Sequence, residues 1–275
     1  MKIACGTVLF RQHPLEKALE VIKAAGFEYV ETQAVGPWCP HVVIGKTDPL
    51  KYAELVKSFG FKGTTAIWMP CGTIISNPDS VSMGKETIEW ANAAGVPVVN
   101  TGDGFKPPDI DYTKALDIYA ERMMKILETA EKCRVHIAIE PHGTFSLTGE
   151  GLERLMSISD SPWLGINYDA CNIYRASYVE SGKDLFTKVS LDKKEDELEV
   201  LKKIVKRVVH FHAKDIHDNR MCPLGEGDVR LEECIAALKE AGYEGPLSLE
   251  TDGDEDLEVT RVFAEKGLRF LKRFL

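Results

Sequence analysis

The sequence predicts an α/β fold, specifically a single (β/α)8 TIM barrel. The chain has 275 residues, and short apolar runs alternate along it with segments of helical periodicity. A barrel of this kind commonly occupies about 250 residues as one unit. Alternating strands and helices imply a parallel sheet with right-handed crossovers. We therefore expect one domain over residues 1–275.

The predicted strands are nearly continuous in apolar residues, as expected for parallel strands covered by helices. There are eight of them, which favours a closed barrel over an open doubly wound sheet. In chain order they are Ile3–Thr7, Tyr29–Gln33, Gly63–Trp68, Val96–Thr101, Val135–Glu140, Leu164–Asp169, Val208–Ala213 and Leu247–Glu250.

Amphipathic segments lie between the predicted strands. Over residues 15–25 apolar residues follow the i, i+3, i+4, i+7 spacing, and Gly26 supplies a C-terminal stop. A second apolar stripe runs over residues 115–130. The last helix is expected to begin near residues 254–256, whose aspartates favour a helix N-terminus. The charged segment 181–199 is predicted to be a loop followed by the solvated start of a helix.

Composition and charge limit the partners and the compartment. The formal net charge of −9 disfavours nucleic acid and anionic membranes as partners. The seven cysteines are widely spaced without a C-x-x-C pair, which indicates free thiols in a reducing compartment. The first residues lack a signal-peptide pattern, and no apolar stretch approaches the roughly 20 residues that cross a bilayer. We expect a cytoplasmic protein.

Four consecutive predicted strands carry, at or near their carboxyl ends, residue types that commonly bind metals in proteins. They are Glu140, Asp169, His212 and Glu250, and in a barrel the carboxyl ends of the strands carry the chemistry. Taken alone, an acid at a strand end is more often a helix cap or a surface ion pair, and a histidine in an apolar strand is more often a core residue. Three carboxylates directed into one cleft repel each other, however, and a divalent cation relieves that repulsion. The set predicts one divalent metal, Mn²⁺ first, with Mg²⁺, Co²⁺ or Zn²⁺ as alternatives.

The segments that carry these residues also resemble a known family. Residues 139–142 (IEPH), 167–169 (NYD), 210–215 (HFHAKD) and 249–250 (LE) resemble the xylose isomerase-like TIM barrel superfamily. Within it they are most similar to the sugar phosphate isomerase/epimerase group, with tagatose 3-epimerase-like enzymes, hydroxypyruvate isomerase and inosose dehydratase. The likeness spans nearly the whole chain.

The resemblance implies a reaction and roles for the residues. Glu140, Asp169, His212 and Glu250 would bind the metal, and Glu140 and Glu250 would also be the catalytic pair that flanks the substrate. The expected activity is that of a metal-dependent sugar isomerase or epimerase. It transfers a proton next to a carbonyl through a cis-enediolate held on the metal. The alternative is a lyase or dehydratase that acts on a keto-sugar or keto-inositol by enolate formation and β-elimination.

Five further residues are expected to bind the substrate: Trp68, His142, Asn172, Lys214 and Arg220. Core packing is an equally good interpretation of Trp68, helix capping of His142, and an ion pair with Asp215 or Glu226 of Lys214. Tagatose 3-epimerase-like enzymes usually have a histidine where this chain has Asn172, and an arginine for which Arg220 is the nearest candidate. These departures put simple ketohexose C3 epimerisation in doubt.

His210 and Glu31 are expected to lie next to the metal ligands without binding the metal themselves. His210 is expected to lie deeper on the same inward face as His212, and Glu31 either supports His212 or forms a structural salt bridge. The partners expected are a small-molecule carbohydrate substrate and further copies of the chain in a homo-oligomer. DNA repair, known from endonuclease IV in the same superfamily, is disfavoured by the net charge and by the small number of histidines, seven.

Overall fold

The computed structural model describes residues 1–178, 194–252 and 256–275. Ten strands are found there: β1 (Lys2–Gly6), β2 (Tyr29–Gln33), β3 (Gly63–Thr73), β4 (Val98–Gly104), β5 (His136–Gly143), β6 (Leu164–Asp169), β7 (Val208–Ala213), β8 (Asp215–His217), β9 (Arg220–Cys222) and β10 (Pro246–Leu249). Eight of them close into a parallel barrel in the order β1-β10-β7-β6-β5-β4-β3-β2. The predicted (β/α)8 barrel is confirmed.

Nine α-helices lie in the same described ranges: α1 (Leu15–Ala25), α2 (Pro49–Ser58), α3 (Ser80–Ala94), α4 (Tyr112–Cys133), α5 (Gly149–Met156), α6 (Ala170–Tyr178), α7 (Glu197–Ile204), α8 (Leu231–Glu240) and α9 (Leu257–Lys272). None of them combines the length and the apolar run that a bilayer crossing needs.

The predicted helix ends follow from local chemistry. Gly26 ends α1 with φ of 101°, a left-handed conformation that glycine adopts at little cost. The Asp256 carboxylate accepts hydrogen bonds from the first turn of α9, which satisfies backbone donors that have no partner within the helix. The helix predicted at the end of the charged segment is α7, capped in the same way by Asp196. Residues 181–193 of that prediction lie outside the described residues, as does Asp254.

Three predicted strands match their observed bounds, and the others shift at their ends. The largest difference is in β3, which continues beyond Trp68 to Thr73 because its pairing with β4 changes register there. The hairpin of β8 and β9 was not predicted. Its turn residues Asp218 and Asn219 have φ of 48° and 58°, the conformation that closes a two-residue hairpin.

The interior of the barrel is polar. Apolar side chains of the strands and helices pack together in one large buried cluster, whereas the inward strand positions carry hydrogen-bonding groups. The buried inward residues that contact one another from different strands include Glu31, Asn100, Asn167, His210 and His212. This polar interior leads to the carboxyl ends of the strands.

Candidate active site

The four predicted metal ligands converge at the carboxyl ends of four neighbouring strands. Glu140 lies in β5, Asp169 ends β6, His212 lies in β7 and Glu250 follows β10. One ligand atom from each lies within 4.8 Å of those of the other three, and all four residues are buried. In the ring order β10-β7-β6-β5, the two glutamates occupy the two ends of the arc and the aspartate and histidine occupy its middle.

His212 is the centre of the cluster. Its Nδ1 lies 2.9 Å from Glu140 Oε2 and 3.2 Å from Glu250 Oε2. Its Nε2 faces the opposite way, 2.9 Å from Glu31 Oε1. The two ring nitrogens therefore contact two separate sets of carboxylates.

Two asparagines orient the acidic ligands from β6 and α6. Asn167 Nδ2 donates to Glu140 Oε2 at 2.9 Å, and Asn172 Nδ2 donates to Glu140 Oε1 at the same distance. The Asn172 backbone N–H also donates to Asp169 Oδ1 at 3.0 Å. Each oxygen of Glu140 is therefore held by an amide that places no charge beside it.

Lys214 supplies positive charge on the other side of the cluster. Its buried ammonium lies 2.7 Å from Glu250 Oε2 and 3.0 Å from Asp169 Oδ2. Both contacts have the distance of an ion pair. Asp169 Oδ2 is buried and has no hydrogen-bond partner among the described residues.

The two glutamates favour opposite protonation states. Burial raises the pKa of Glu140 to about 8; His212 opposes this rise and the Glu250 carboxylate adds to it. Burial acts in the same direction on Glu250, but His212 and Lys214 together hold the pKa of its carboxyl well below its usual range. Burial also opposes the charge on His212, yet the surrounding carboxylates, Glu250 first, hold the pKa of its ring well above the usual value.

The chemistry of this cluster fits a divalent cation. Three buried carboxylates and one imidazole are the donor set that hard and borderline divalent ions prefer. The unsatisfied Asp169 Oδ2 is a buried acceptor of the kind that ordinarily has a partner. Glu140, Asp169, His212 and Glu250 could together hold one such ion.

A cavity of about 400 Å³ opens beside the cluster, a size suited to a small ligand. Both glutamates line it. Its other lining residues include Gln33, Trp38, Trp68, Cys71, His142, Asn172, Arg175, Lys214 and Asp252. Aromatic and charged groups thus surround the space into which Glu140 and Glu250 open.

Four of the five residues predicted to bind substrate line this cavity. Trp68 and His142 form one wall, with ring centroids 6.0 Å apart in a T-shaped contact. Asn172 contacts Glu140, and Lys214 contacts Glu250. The ion pairs of Lys214 are with Asp169 and Glu250, and not with the Asp215 or Glu226 named as alternatives.

Both alternative partners of Lys214 are engaged elsewhere. The Asp215 carboxylate accepts backbone N–H groups of Gly225, Gly227 and Val229. Glu226 pairs with Lys266 at 2.6 Å.

The structure does not bring Arg220 to the cavity. It is exposed at the start of β9, paired with His217 across the hairpin. Arg220 is not among the residues that line the cavity. Its expected contact with substrate stays a prediction.

Two inward residues acquire contacts that no sequence motif assigned to them. Asn167 contacts Glu140, His210 and His212, and Gln33 Nε2 donates to Glu250 Oε1 at 3.4 Å. Each lies two residues from an acidic site residue and hence on the same face of its strand. The two-residue period of side chains along a strand could therefore have identified both residues from the sequence.

The xylose isomerase-like TIM barrel family model matches residues 19–274, which is nearly the whole chain. The chain belongs to this family. The match agrees with the closed barrel.

Sequence identity to individual curated proteins is low. Inosose dehydratase of Clostridium perfringens is 27% identical over 173 residues, which cover 56% of this chain and 52% of that protein. The chain thus spans about half the length of the curated relative it matches.

Solved structures share the fold over the whole chain. The structure described as a D-tagatose 3-epimerase-like protein has a TM-score of 0.78 at 21% identity and covers 100% of this chain and 97% of its own. The IolI protein, described with a bound zinc atom, has a TM-score of 0.73 at 17% identity, covering 100% and 96%. At these identities the likeness shows the fold.

Proposed function

We propose that this protein is a metal-dependent isomerase or epimerase of a small carbohydrate, which moves a proton next to the substrate carbonyl. The observation that carries the proposal is the position of the two glutamates. Glu140 and Glu250 lie at the two ends of the four-ligand arc, and both open into the same cavity. Two carboxylates so placed can remove a proton from a bound substrate and return it.

The metal is proposed to be Mn²⁺, held by Glu140, Asp169, His212 and Glu250. When bound, such an ion supplies the positive charge that stabilises a carbonyl oxygen as it becomes negative. The donor set alone also admits Mg²⁺, Co²⁺ or Zn²⁺.

The residues of the chain supply the proton transfers and the orientation. One glutamate takes the proton from the carbon beside the carbonyl, which leaves a cis-enediolate. A carboxylic acid then returns a proton, either to the other face of that carbon, which gives an epimer, or to the neighbouring carbon, which gives an isomer. Asn167 and Asn172 hold Glu140 in place, and Lys214 holds Glu250. The faces of Trp68 and His142 provide a wall for the C–H groups of a sugar.

A second candidate is a dehydratase, in which the same enolate expels a β-hydroxyl as water. The buried Lys214 ammonium favours it, because an N–H donor that lines the cavity can assist the departing oxygen. The similarity to inosose dehydratase also supports it. Both candidates use the same first step.

Product mass in D2O separates the two candidates. We expect the protein with Mn²⁺ to convert a member of a panel of ketoses, aldoses and keto-inositols into a product that carries carbon-bound deuterium and has not lost water. A product that lacks one water would establish the dehydratase instead. Absence of both outcomes across the panel, with Mn²⁺ bound, would contradict the proposal.

The two glutamates are tested by Glu140→Gln and Glu250→Gln. Each variant should lower turnover by roughly 10²–10⁴-fold, the usual contribution of a general acid or base, because the amide cannot accept the substrate proton. The matched control is Glu28→Gln, since Glu28 is exposed and pairs only with Lys62 among the ion pairs of the described residues. Wild-type turnover in either active-site variant would exclude that residue from the reaction.

A further inference from the structure

The inner face of His212 contacts a carboxylate that is not one of the four ligands. Its Nε2 lies 2.9 Å from Oε1 and 3.0 Å from Oε2 of Glu31, whereas its Nδ1 faces Glu140 and Glu250. We propose that Glu31 is a positioning residue, which accepts the Nε2 proton of His212 and so leaves Nδ1 as the nitrogen that binds the divalent ion. This inference rests on the metal site of the proposed function.

Glu31 is itself held in one position inside the barrel. It lies in β2, is 0% exposed, and accepts a hydrogen bond from Asn100 Nδ2 of β4 at 2.9 Å. A buried carboxylate is stable only when charged or hydrogen-bonding partners surround it. The side chains of β2, β4 and β7 therefore form one connected chain, Asn100 to Glu31 to His212, that ends at the metal ligand.

A second metal ion is the competing explanation, because Glu31, His210 and His212 also offer ligand atoms within 4.8 Å of one another. Both ring nitrogens of His210 are already engaged, Nδ1 with Asn167 Oδ1 at 3.0 Å and Nε2 with Thr65 Oγ1 at 3.3 Å. Its distance to Glu31, 3.8 Å, exceeds a hydrogen bond. The hydrogen-bonded arrangement accounts for all three side chains without an ion.

A carboxylate on the second nitrogen of a ligating histidine has a known physical effect. It fixes the tautomer and the ring orientation and makes the ligating nitrogen a better donor, and its loss typically lowers metal affinity by roughly 10–100-fold. We expect a fall of that size in Glu31→Gln, since the neutral amide is a weaker acceptor for the Nε2 proton.

Cadmium binding to protein without substrate tests the inference. ¹¹³Cd²⁺ titrated into the ¹⁵N-histidine-labelled wild type should bind once per chain and show one-bond coupling to Nδ1 of His212, with Nε2 protonated. Glu31→Gln should bind the same ion roughly 10–100-fold more weakly. The control Thr65→Val alters a neighbouring inward residue that contacts His210 and should leave the affinity unchanged.

Three results would overturn the inference. They are coupling through Nε2, unchanged cadmium affinity in Glu31→Gln, or a second ion per chain that Glu31→Gln removes. If Glu31→Gln does not fold, the coupling in the wild type still decides which nitrogen binds. Absence of any bound ion in the wild type would remove the metal site and the proposed function together, whereas the three results above leave both standing.

Discussion

The positive charge of Lys214 offsets negative charge on the buried carboxylates of the four candidate metal ligands. The ammonium lies within ion-pair distance of both Asp169 and Glu250, whereas neutral asparagines contact Glu140. Buried charges of one sign are tolerated only when opposite charge is close. Lys214 therefore offsets part of the carboxylate charge that a divalent ion would otherwise have to neutralise alone.

Lys214→Met should make stability depend on the metal. In EDTA the variant should lose about 3–5 kcal/mol of the free energy of unfolding, because one partner of a buried ion pair is removed. With saturating Mn²⁺ the loss should be smaller, since the ion restores positive charge. Urea unfolding of both proteins in both conditions measures this.

The control for that measurement is Lys62→Met. Lys62 pairs with Glu28 on the surface, where both side chains are 58% exposed, so its removal should change stability by less than about 1 kcal/mol. Equal stability of Lys214→Met and wild type in EDTA would show that the ammonium does not stabilise the cluster.

At the residue scale, strand ends predict which side chains converge, whereas distance along the chain does not predict where a loop residue lies. Glu140, Asp169, His212 and Glu250 were identified because each ends a strand, and parallel strands deliver their ends to one rim. Arg220 was assigned by its distance along the chain from His212, which takes no account of the intervening hairpin. Arg220 does not line the cavity, and its contact with substrate stays a prediction.

At the scale of elements, Asp103 joins β4 to the segment between β5 and α5. Its buried carboxylate accepts hydrogen bonds from Phe145 N at 2.7 Å and Ser146 Oγ at 2.5 Å. Ser146 Oγ in turn accepts the backbone N–H of His142. The segment after β5, which contacts the cavity-wall residue His142, is thus tied to β4 through Asp103.

Titration of the buried Asp103 carboxyl should make the free energy of unfolding depend on pH. Burial raises the pKa of Asp103 from 3.8 to about 6, although Ser146 and Phe145 oppose the rise. Between these pH values the folded protein binds more protons than the unfolded chain, so the free energy of unfolding should fall as pH rises through the window. The expected fall from this group is about 3 kcal/mol.

Urea unfolding of wild type and Asp103→Asn between pH 4 and 7, in EDTA, isolates that contribution. Between pH 4 and 7 the difference between the two curves should change by about 2.4 kcal/mol, because the asparagine does not titrate and the rest of the change falls below pH 4. Groups common to both proteins cancel in the difference. Parallel curves would contradict the assignment.

Element positions were more predictable than element ends. The apolar runs gave all eight barrel strands, because burial on both faces leaves a strong pattern. The extension of β3 to Thr73 depends on a change of register with β4, which the sequence of one strand does not contain. The period of two, which predicts the inward positions of His210 and His212, extends to Asn167 and Gln33, for which we made no prediction.

At the scale of the whole molecule, the cavity walls come from distant parts of the chain. Arg11 Nε donates to the Asp252 carbonyl across 241 residues of sequence, and the Arg11 guanidinium stacks over Trp38 at 5.1 Å. Local patterns predict the barrel and its ligands but carry no information on such contacts. The walls that select a particular carbohydrate are therefore a property of the folded chain. The expected homo-oligomer stays a prediction.

Equilibrium titration of Mn²⁺ into EDTA-treated protein, followed by calorimetry, tests the central claim most directly. We predict one ion per chain in the wild type and in the control Asp160→Asn, whose side chain is exposed. Asp169→Asn should bind at least about 100-fold more weakly, because it loses a buried charged ligand close to the other three. An absence of binding in the wild type, or equal affinity in Asp169→Asn, would contradict the assignment of these four residues as a metal centre.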